Sequence, residues 1–196
     1  MTARQHLLRI IYPFWILVNR MLRRKAKILY NEKCIAPVTS LFDLTVTFID
    51  GNEVKLHEWK GKKLLLVNTA SDCGYTAQYS ELQQLYQMHR DKLMIIGFPS
   101  NDYKEQEKDD DKAIAEFCSV HYGVRFPLVK KSVVVKTERQ HPVFQWLSHA
   151  SKNGWNDQPP TWNFSKYLIN EQGMLTHYFD PSVTPLSPVV LNAIHQ

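Results

Sequence analysis

Cys73 is the residue of this sequence whose position most directly suggests chemistry. It follows the apolar run KLLLVNTA (residues 63–70), which predicts a fully buried strand, and it precedes residues 76–90, whose apolar side chains recur at helical spacing. A cysteine where a strand ends and a helix begins meets unpaired backbone N–H groups and the positive end of the helix dipole, and both favour thiolate over thiol. The alternative interpretation is a small buried apolar residue. Thr76 stands where Cys-x-x-Cys motifs have their second cysteine, so a local dithiol is excluded.

The rest of the sequence predicts the elements that must position this cysteine. Asp50-Gly51-Asn52 is a strong turn signal between alternating apolar residues and predicts a hairpin. Further elements are predicted from periodicity and turn signals: strands at 62–70, 93–99 and 126–135, helices at 76–90, 112–121, 141–150 and 187–195, and a hairpin of strands 166–170 and 175–179. This order predicts an α/β thioredoxin-like fold, with a mixed central sheet, helices on both faces and an N-terminal hairpin in a single domain.

The positive charge of the chain is concentrated at one end. The 196 residues carry a formal net charge of +5, but residues 1–36 contain eight basic side chains and one acidic side chain. Residues 37–196 contain the other 16 basic and 18 acidic side chains, and they show no basic stripe interleaved with aromatic residues. We therefore expect a basic N-terminal extension (1–36), a single domain (37–196) and no nucleic-acid partner.

Residues 5–27 have the pattern of a basic amphipathic helix. The apolar run from Ile10 to Val18 is about half as long as the ~20 residues that a membrane-spanning helix needs. We expect this helix to lie on a membrane surface, the alternatives being a helix packed on its own domain and a true span. Since we find no small-residue cleavage site after it, we expect a cytoplasmic protein that associates with membranes through this helix.

Four segments of the sequence resemble, in order, the motifs of the glutathione peroxidase family. Residues 68–86 (NTASDCGYTAQYSELQQLY) resemble the active-site signature, with cysteine where some members carry selenocysteine. The segments IIGFPSNDYKEQE (95–107), FCSVHYGVRFPL (117–128) and TWNFSKYLIN (161–170) resemble the motifs that follow. The likeness covers roughly residues 40–196, and it implies a peroxidase.

The resemblance implies a catalytic tetrad of Cys73, Gln106, Trp162 and Asn163. A thiolate that attacks a peroxide O–O bond becomes a sulfenic acid and releases an oxyanion that needs hydrogen-bond donors. The two amides and the indole offer N–H groups and accept no proton at neutral pH. Taken singly, the tryptophan would be assigned to the core and the two amides to loop surface.

The resemblance also implies that Cys118 is a resolving cysteine, because the thiol-dependent branch of the family has its resolving cysteine at this position. Without the family, Cys118 would be assigned to the core beside Phe117. A disulfide needs Cα atoms within about 7 Å, so the helix from Lys112 must partly unwind if the sulfurs start far apart. Charge repulsion within residues 107–111 would favour that unwinding. We expect a Cys73–Cys118 disulfide after one equivalent of peroxide.

The sequence departs from the family pattern near the tetrad. Ser100 replaces the usual cysteine of the Phe-Pro-Cys-Asn motif, Asp102-Tyr103 replaces Gln-Phe, and Lys108-Asp109 replaces Pro-Gly. Cys34 has no counterpart in the family and is expected to be a bystander thiol. The eight histidines show no metal-ligand spacing, so we expect neither a metal nor a bound cofactor.

These features together predict a monomeric, thioredoxin-dependent thiol peroxidase that reduces hydrogen peroxide and organic hydroperoxides. An internal disulfide with Cys118 would be a natural substrate of thioredoxin, whereas glutathione would suit an enzyme that stops at the sulfenic acid. The short connection 150–161 resembles that of monomeric family members. Lipid hydroperoxides become attractive substrates if the N-terminal helix lies on a bilayer. The alternatives are a redox relay or sensor that oxidises a client protein, a thiol–disulfide oxidoreductase and an inactive binding module.

Overall fold

The computed structural model describes residues 27–107 and 110–196, and its strands form one central sheet and a separate hairpin. The strands are β1 (Ile28–Tyr30), β2 (Thr45–Thr47), β3 (Glu53–Lys55), β4 (Lys63–Thr69), β5 (Leu93–Pro99), β6 (Lys166–Ile169) and β7 (Leu175–Phe179). The central sheet has the order β1-β7-β6-β4-β5, and β2 pairs with β3 alone. Because β4 and β5 run parallel and the other pairs antiparallel, the predicted mixed sheet and N-terminal hairpin are confirmed.

Helices follow the strands in nearly the predicted order. They are α1 (Gln78–His89), α2 (Asp111–Tyr122), α3 (Pro142–Leu147), α4 (Ala150–Asn153) and α5 (Pro188–His195). Asp110 caps the start of α2 through a hydrogen bond of 2.8 Å from the Ala113 N–H, and Gly123 ends it in the left-handed conformation, with φ of 61°. The helix predicted at 141–150 is divided into α3 and α4.

The core lies on both faces of β4, which is buried at every position. Leu65 and Val67 point to the face covered by α1, α2 and α5, whereas Leu64 and Leu66 point to the face covered by α3 and the hairpin. Successive side chains of a strand alternate between faces, so a continuous apolar run is what a strand between two layers requires. The predicted position of helices on both faces is confirmed.

The stretch Phe126–Val135, which was predicted to be a strand, is not one. It forms isolated bridges, Leu128 with Gly97 of β5 and Val129 with Phe48, and one further backbone hydrogen bond to β5, from the Ser132 N–H to the Pro99 carbonyl at 2.8 Å. Pro127 has no backbone N–H and therefore interrupts any regular ladder. A Cβ atom at Gly97 would lie 2.6 Å from the Leu128 side chain, so glycine is what permits this close crossing. The apolar residues that suggested a strand pack into the core without regular pairing.

The edge strand β1 lies within the predicted extension 1–36. Ile28 pairs with Phe179 of β7, and the N–H of Asp180 donates to the Lys27 carbonyl at 2.9 Å, so this part of the extension belongs to the central sheet. The predicted amphipathic helix lies outside the described residues except for Lys27. Within residues 27–107 and 110–196, every helix is too short or too polar to cross a bilayer.

Candidate active site

Cys73 lies in a tight turn between β4 and α1, and Thr76 holds this turn together. The Thr76 hydroxyl accepts the Cys73 N–H at 3.0 Å and donates to the Ala70 carbonyl at 3.0 Å. The N–H of Tyr75 is directed at the Cys73 sulfur at 3.5 Å. The Cys73 residue is half-buried. Cys73 lies after the end of β4, as expected, but α1 begins five residues later, so the backbone donor at the sulfur comes from the turn itself.

Gln106 and Asn163 are in direct contact although 56 residues separate them in the sequence. The Asn163 amide donates from Nδ2 to Gln106 Oε1 at 3.0 Å, and Asn163 is fully buried. The Gln106 carbonyl accepts the N–H of Asp72, the neighbour of Cys73, at 3.0 Å. These bonds join the cysteine turn, the loop after β5 and the turn before β6. Gln106 Oε1 is the acceptor in this pair, and this fixes the orientation of the amide. The Nε2 group is the hydrogen-bond donor of the Gln106 side chain.

Trp162 precedes Asn163 and packs against the loop that carries Gln106. Its ring lies 5.3 Å from that of Tyr103, and the Lys104 ammonium lies 5.7 Å from its centroid. The Tyr103 hydroxyl donates to the Pro160 carbonyl at 2.6 Å. Burial raises the pKa of Tyr103, which keeps this hydroxyl protonated as a donor. Tyr103, which departs from the family pattern, therefore contacts the Trp162 ring with its own ring and binds the backbone two residues before Trp162 with its hydroxyl.

Glu107 is a site neighbour that sequence reasoning missed. It was counted among the repelling charges of residues 107–111, yet it is fully buried, and Ser71 donates to its carboxylate at 3.1 Å. Its N–H donates to Asn101 Oδ1 at 2.9 Å. A buried carboxylate needs such donors, so Glu107 is a fastening point between two site loops and not part of a solvated acidic run. Asn68 was missed too, although an amide inside an apolar strand is a sign of a buried partner.

Cys118 lies on the buried face of α2, in the core cluster against which Cys73 also packs. Its residue is 1% exposed, and its thiol is free, as are those of Cys73 and Cys34. Burial raises the pKa of Cys118 to about 11, while the nearby Tyr79 hydroxyl acts to lower it. In the described structure Cys118 is therefore a buried, protonated thiol.

The remaining candidates lie away from the cysteine turn. Cys34 is exposed in the turn after β1, where it adopts a φ of 49°. Within residues 27–107 and 110–196, no three His, Cys, Asp or Glu side chains form a cluster that could hold a metal ion.

Comparison with known proteins finds relatives among the glutathione peroxidases. The family model for glutathione peroxidase matches residues 41–148. The glutathione peroxidase homolog BsaA of Staphylococcus epidermidis is 40% identical over 147 residues, which cover 74% of this chain and 92% of that protein. The glutathione peroxidase-like peroxiredoxin GPX5 of Chlamydomonas reinhardtii is 38% identical over 147 residues, covering 74% and 90%. The crystal structure of apo Trgpx superimposes with a TM-score of 0.61 and 33% identity, covering 81% of this chain and 97% of that one.

Proposed function

The chain belongs to the glutathione peroxidase family, and from that premise we propose that it is a thiol peroxidase that reduces hydrogen peroxide and organic hydroperoxides at Cys73. The observation that carries the proposal is the hydrogen bond between Asn163 and Gln106, whose carbonyl is bonded to the neighbour of Cys73. This arrangement fixes Gln106 next to the cysteine turn, where its side-chain amide is suited to stabilise a departing oxyanion.

The proposed first step is attack of the Cys73 thiolate on the peroxide. The S–O bond forms as the O–O bond breaks, the cysteine is oxidised to the sulfenic acid, and the alkoxide takes a proton to leave as an alcohol, or as water from hydrogen peroxide. The Tyr75 N–H supports the thiolate, and the Gln106 amide and Trp162 indole are the donors for the developing charge. Asn163 holds Gln106 in place.

The proposed second step is resolution by Cys118. Its thiol attacks the sulfenic sulfur, the disulfide forms and water leaves. A thioredoxin-type dithiol or glutathione then returns both cysteines to thiols, and no resident cofactor is needed. The internal disulfide favours the thioredoxin-type reductant. Because Cys118 is buried and its pKa is raised, this step requires α2 to open, and opening also restores an ordinary thiol.

A redox relay is the second candidate, and the burial of Cys118 favours it. If α2 opens slowly, the sulfenic acid at Cys73 persists and can be attacked by a cysteine of a client protein. In that case a single oxidation is fast, while turnover with either reductant is slow.

We also propose that the protein is a cytoplasmic monomer held at a membrane surface by residues 5–27. The sequence of this segment supports the proposal, as does the place where it joins the domain. Asp180 binds the Lys27 backbone, the Lys27 side chain bonds Gln158, and Thr161 lies 3.5 Å from Asp180 and next to Trp162. Lys27, the last residue of the segment, is thus linked through Asp180 and Thr161 to the turn that carries Trp162, so membrane binding by the segment would bring lipid hydroperoxides near the candidate site.

A coupled assay tests the function. NADPH consumption is followed with peroxide and either thioredoxin with its reductase or glutathione with its reductase, for wild type, Cys73→Ser and Cys118→Ser, with Cys34→Ser as the matched control. We expect Cys73→Ser to be inactive, Cys118→Ser to lose thioredoxin-driven turnover, and Cys34→Ser to behave as wild type. Wild-type turnover by Cys118→Ser would contradict its resolving role, and fast single oxidation with slow turnover would favour the relay.

A further inference from the structure

Asn68 is a fully buried amide in β4, five residues before Cys73. The regular β4–β6 ladder ends at Val67, opposite Lys166. Asn68, the next residue of β4, contacts the Trp162–Ser165 turn instead of β6. A polar residue here would be costly unless this turn satisfied it.

The bonds of Asn68 to this turn use both its side chain and its backbone. Its Nδ2 donates to the Trp162 carbonyl at 3.1 Å, and its Oδ1 accepts the Ser165 N–H at 3.0 Å. Its carbonyl accepts the Phe164 N–H at 2.6 Å. Trp162, Phe164 and Ser165 flank Asn163 on both sides. Asn68 therefore holds the backbone of the turn that carries Trp162 and Asn163.

The Trp162–Ser165 turn contains a residue in an unfavourable backbone conformation. Phe164 has a φ of 68°, in the left-handed region that residues with a Cβ rarely adopt. Two more buried groups hold it: the Lys166 ammonium donates to the Phe164 carbonyl at 2.7 Å, and the Ser165 hydroxyl donates to the Trp162 carbonyl at 3.0 Å. The polar network around Asn68 thus fixes a backbone that local preference would not keep.

We propose that Asn68 is a positioning residue of the peroxidase site, which sets Trp162 and Asn163 against Gln106 and the Cys73 turn. Asn68 lies on the strand that leads to the cysteine, so the nucleophile and its two partners share one rigid support. This inference rests on the proposed peroxidase function. It assigns Asn68 an effect on the peroxide step that an ordinary buried asparagine would not have.

Asn153 is the matched control. It is also fully buried, its Nδ2 donates to the carbonyls of Trp146 and Asn156, and its Oδ1 accepts two backbone N–H groups. Loss of either amide removes a comparable set of buried hydrogen bonds and should lower thermal stability to a similar extent. The two differ in what they hold, because Asn153 binds residues of the 146–156 region.

The test uses the full chain as wild type, Asn68→Ala, the isosteric Asn68→Asp, and Asn153→Ala. Three quantities are measured: the melting temperature, the second-order rate of Cys73 oxidation by hydrogen peroxide, and the rate of Cys73 alkylation by iodoacetamide. Peptide mass spectrometry after rapid quenching assigns both modifications to Cys73. We expect the Asn68 variants to be oxidised about 30-fold more slowly and alkylated within about threefold of wild type, because misplaced donors affect the peroxide transition state more than thiol access. Asn153→Ala should match wild type in both rates.

Equal oxidation rates in wild type and the Asn68 variants would overturn the proposal, as would equal losses of oxidation and alkylation. If neither Asn68 variant folds, Ser165→Ala removes another bond to the same Trp162 carbonyl, and it should slow oxidation about fivefold with alkylation unchanged; no effect would overturn the proposal. If wild-type Cys73 is oxidised no faster than the exposed Cys34, the peroxidase function itself fails, and that outcome is visible without any variant.

Discussion

At the scale of single residues, the proposed mechanism uses different hydrogen-bond donors for the thiolate and for the departing oxyanion. The Tyr75 N–H is the donor at the sulfur, while the Gln106 amide is left with donors to offer because Asn163 occupies its oxygen. The cysteine turn and the amide pair therefore have distinct tasks, and substitutions in them should have different effects.

Gln106→Ala should slow Cys73 oxidation by about 100-fold, the usual effect of removing one preorganised donor from a site of developing negative charge. Alkylation of Cys73 should change much less, because the Tyr75 N–H remains in place. Gln87→Ala, at an exposed position of α1, is the control for loss of a glutamine side chain. Single-turnover oxidation measures the effect, and a wild-type rate in Gln106→Ala would remove this residue from the site.

Thr76→Val should lower the free energy of unfolding by about 2 kcal/mol, since it leaves the Cys73 N–H and the Ala70 carbonyl without their hydroxyl partner. Cys73 oxidation should slow as well, because the turn that orients the Tyr75 N–H toward the sulfur loses the hydrogen bonds of the Thr76 hydroxyl. Thr76→Ser retains the hydroxyl and should restore both properties. Denaturant unfolding and the oxidation rate are compared for the three proteins; if Thr76→Ser behaves like Thr76→Val, the hydroxyl is not the cause.

At the scale of elements, α2 is the one whose motion the proposed chemistry requires. It keeps Cys118 in the core, and it has a capping residue at each end, Asp110 and Gly123. Of the acidic side chains that precede this helix, Glu107 is buried and bonded to Ser71 and so is not part of a solvated acidic run. We therefore expect substitutions at the two capping residues to change how readily α2 opens.

Asp110→Ala and Gly123→Ala should each speed formation of the Cys73–Cys118 disulfide after one equivalent of peroxide. Each change costs the helix about 1 kcal/mol, which raises the population of the opened helix about fivefold. Lys112→Ala, an exposed change in the first turn of the same helix, is the control. Quenched samples analysed by peptide mass spectrometry give the rate, and equal rates in all four proteins would show that α2 opening does not limit resolution.

At the scale of the whole molecule, burial of the Cys118 thiol makes the free energy of unfolding depend on pH in the alkaline range. The unfolded chain loses the Cys118 proton near pH 9.0, whereas the folded chain holds it until about pH 11, where the raised pKa lies. The unfolded state therefore binds fewer protons in this interval, and stability falls as pH rises.

Between pH 9 and 11 the free energy of unfolding of wild type should fall by up to about 2 kcal/mol more than that of Cys118→Ser. Cys34→Ser, which removes an exposed thiol, should show the full wild-type loss. Denaturant unfolding at several pH values measures the difference. Parallel curves for wild type and Cys118→Ser would mean that Cys118 is not buried in solution.

The N-terminal stretch contains two parts that truncation can separate. A chain of residues 27–196 keeps β1 and should keep the wild-type melting temperature, but it should no longer sediment with anionic vesicles. A chain of residues 37–196 also loses β1 and should melt about 5 °C lower, since the pairing with β7 is removed. If residues 37–196 sediment with vesicles as well as the full chain does, the membrane proposal is wrong.

The sequence alone determined the elements and the family. Buried strands, amphipathic helices and turn signals are local properties, and the four motifs lie in register along the chain, so β4, α1, α2 and the β6–β7 hairpin could all be predicted. The local pattern failed at Phe126–Val135, because apolar β-branched residues also suit an unpaired segment packed on the core, and Pro127 favours that outcome.

Only the tertiary structure decided which side chains meet. The contact of Asn163 with Gln106, the grip of Asn68 on the Trp162 turn, and the burial of Glu107 and Cys118 all join residues distant in the chain. A hydrogen bond or a buried surface depends on distances across the fold, which composition and spacing do not specify. The sequence therefore named Cys73 as the candidate reactive cysteine, while packing decided which groups surround it and that Cys118, the proposed resolving thiol, is buried.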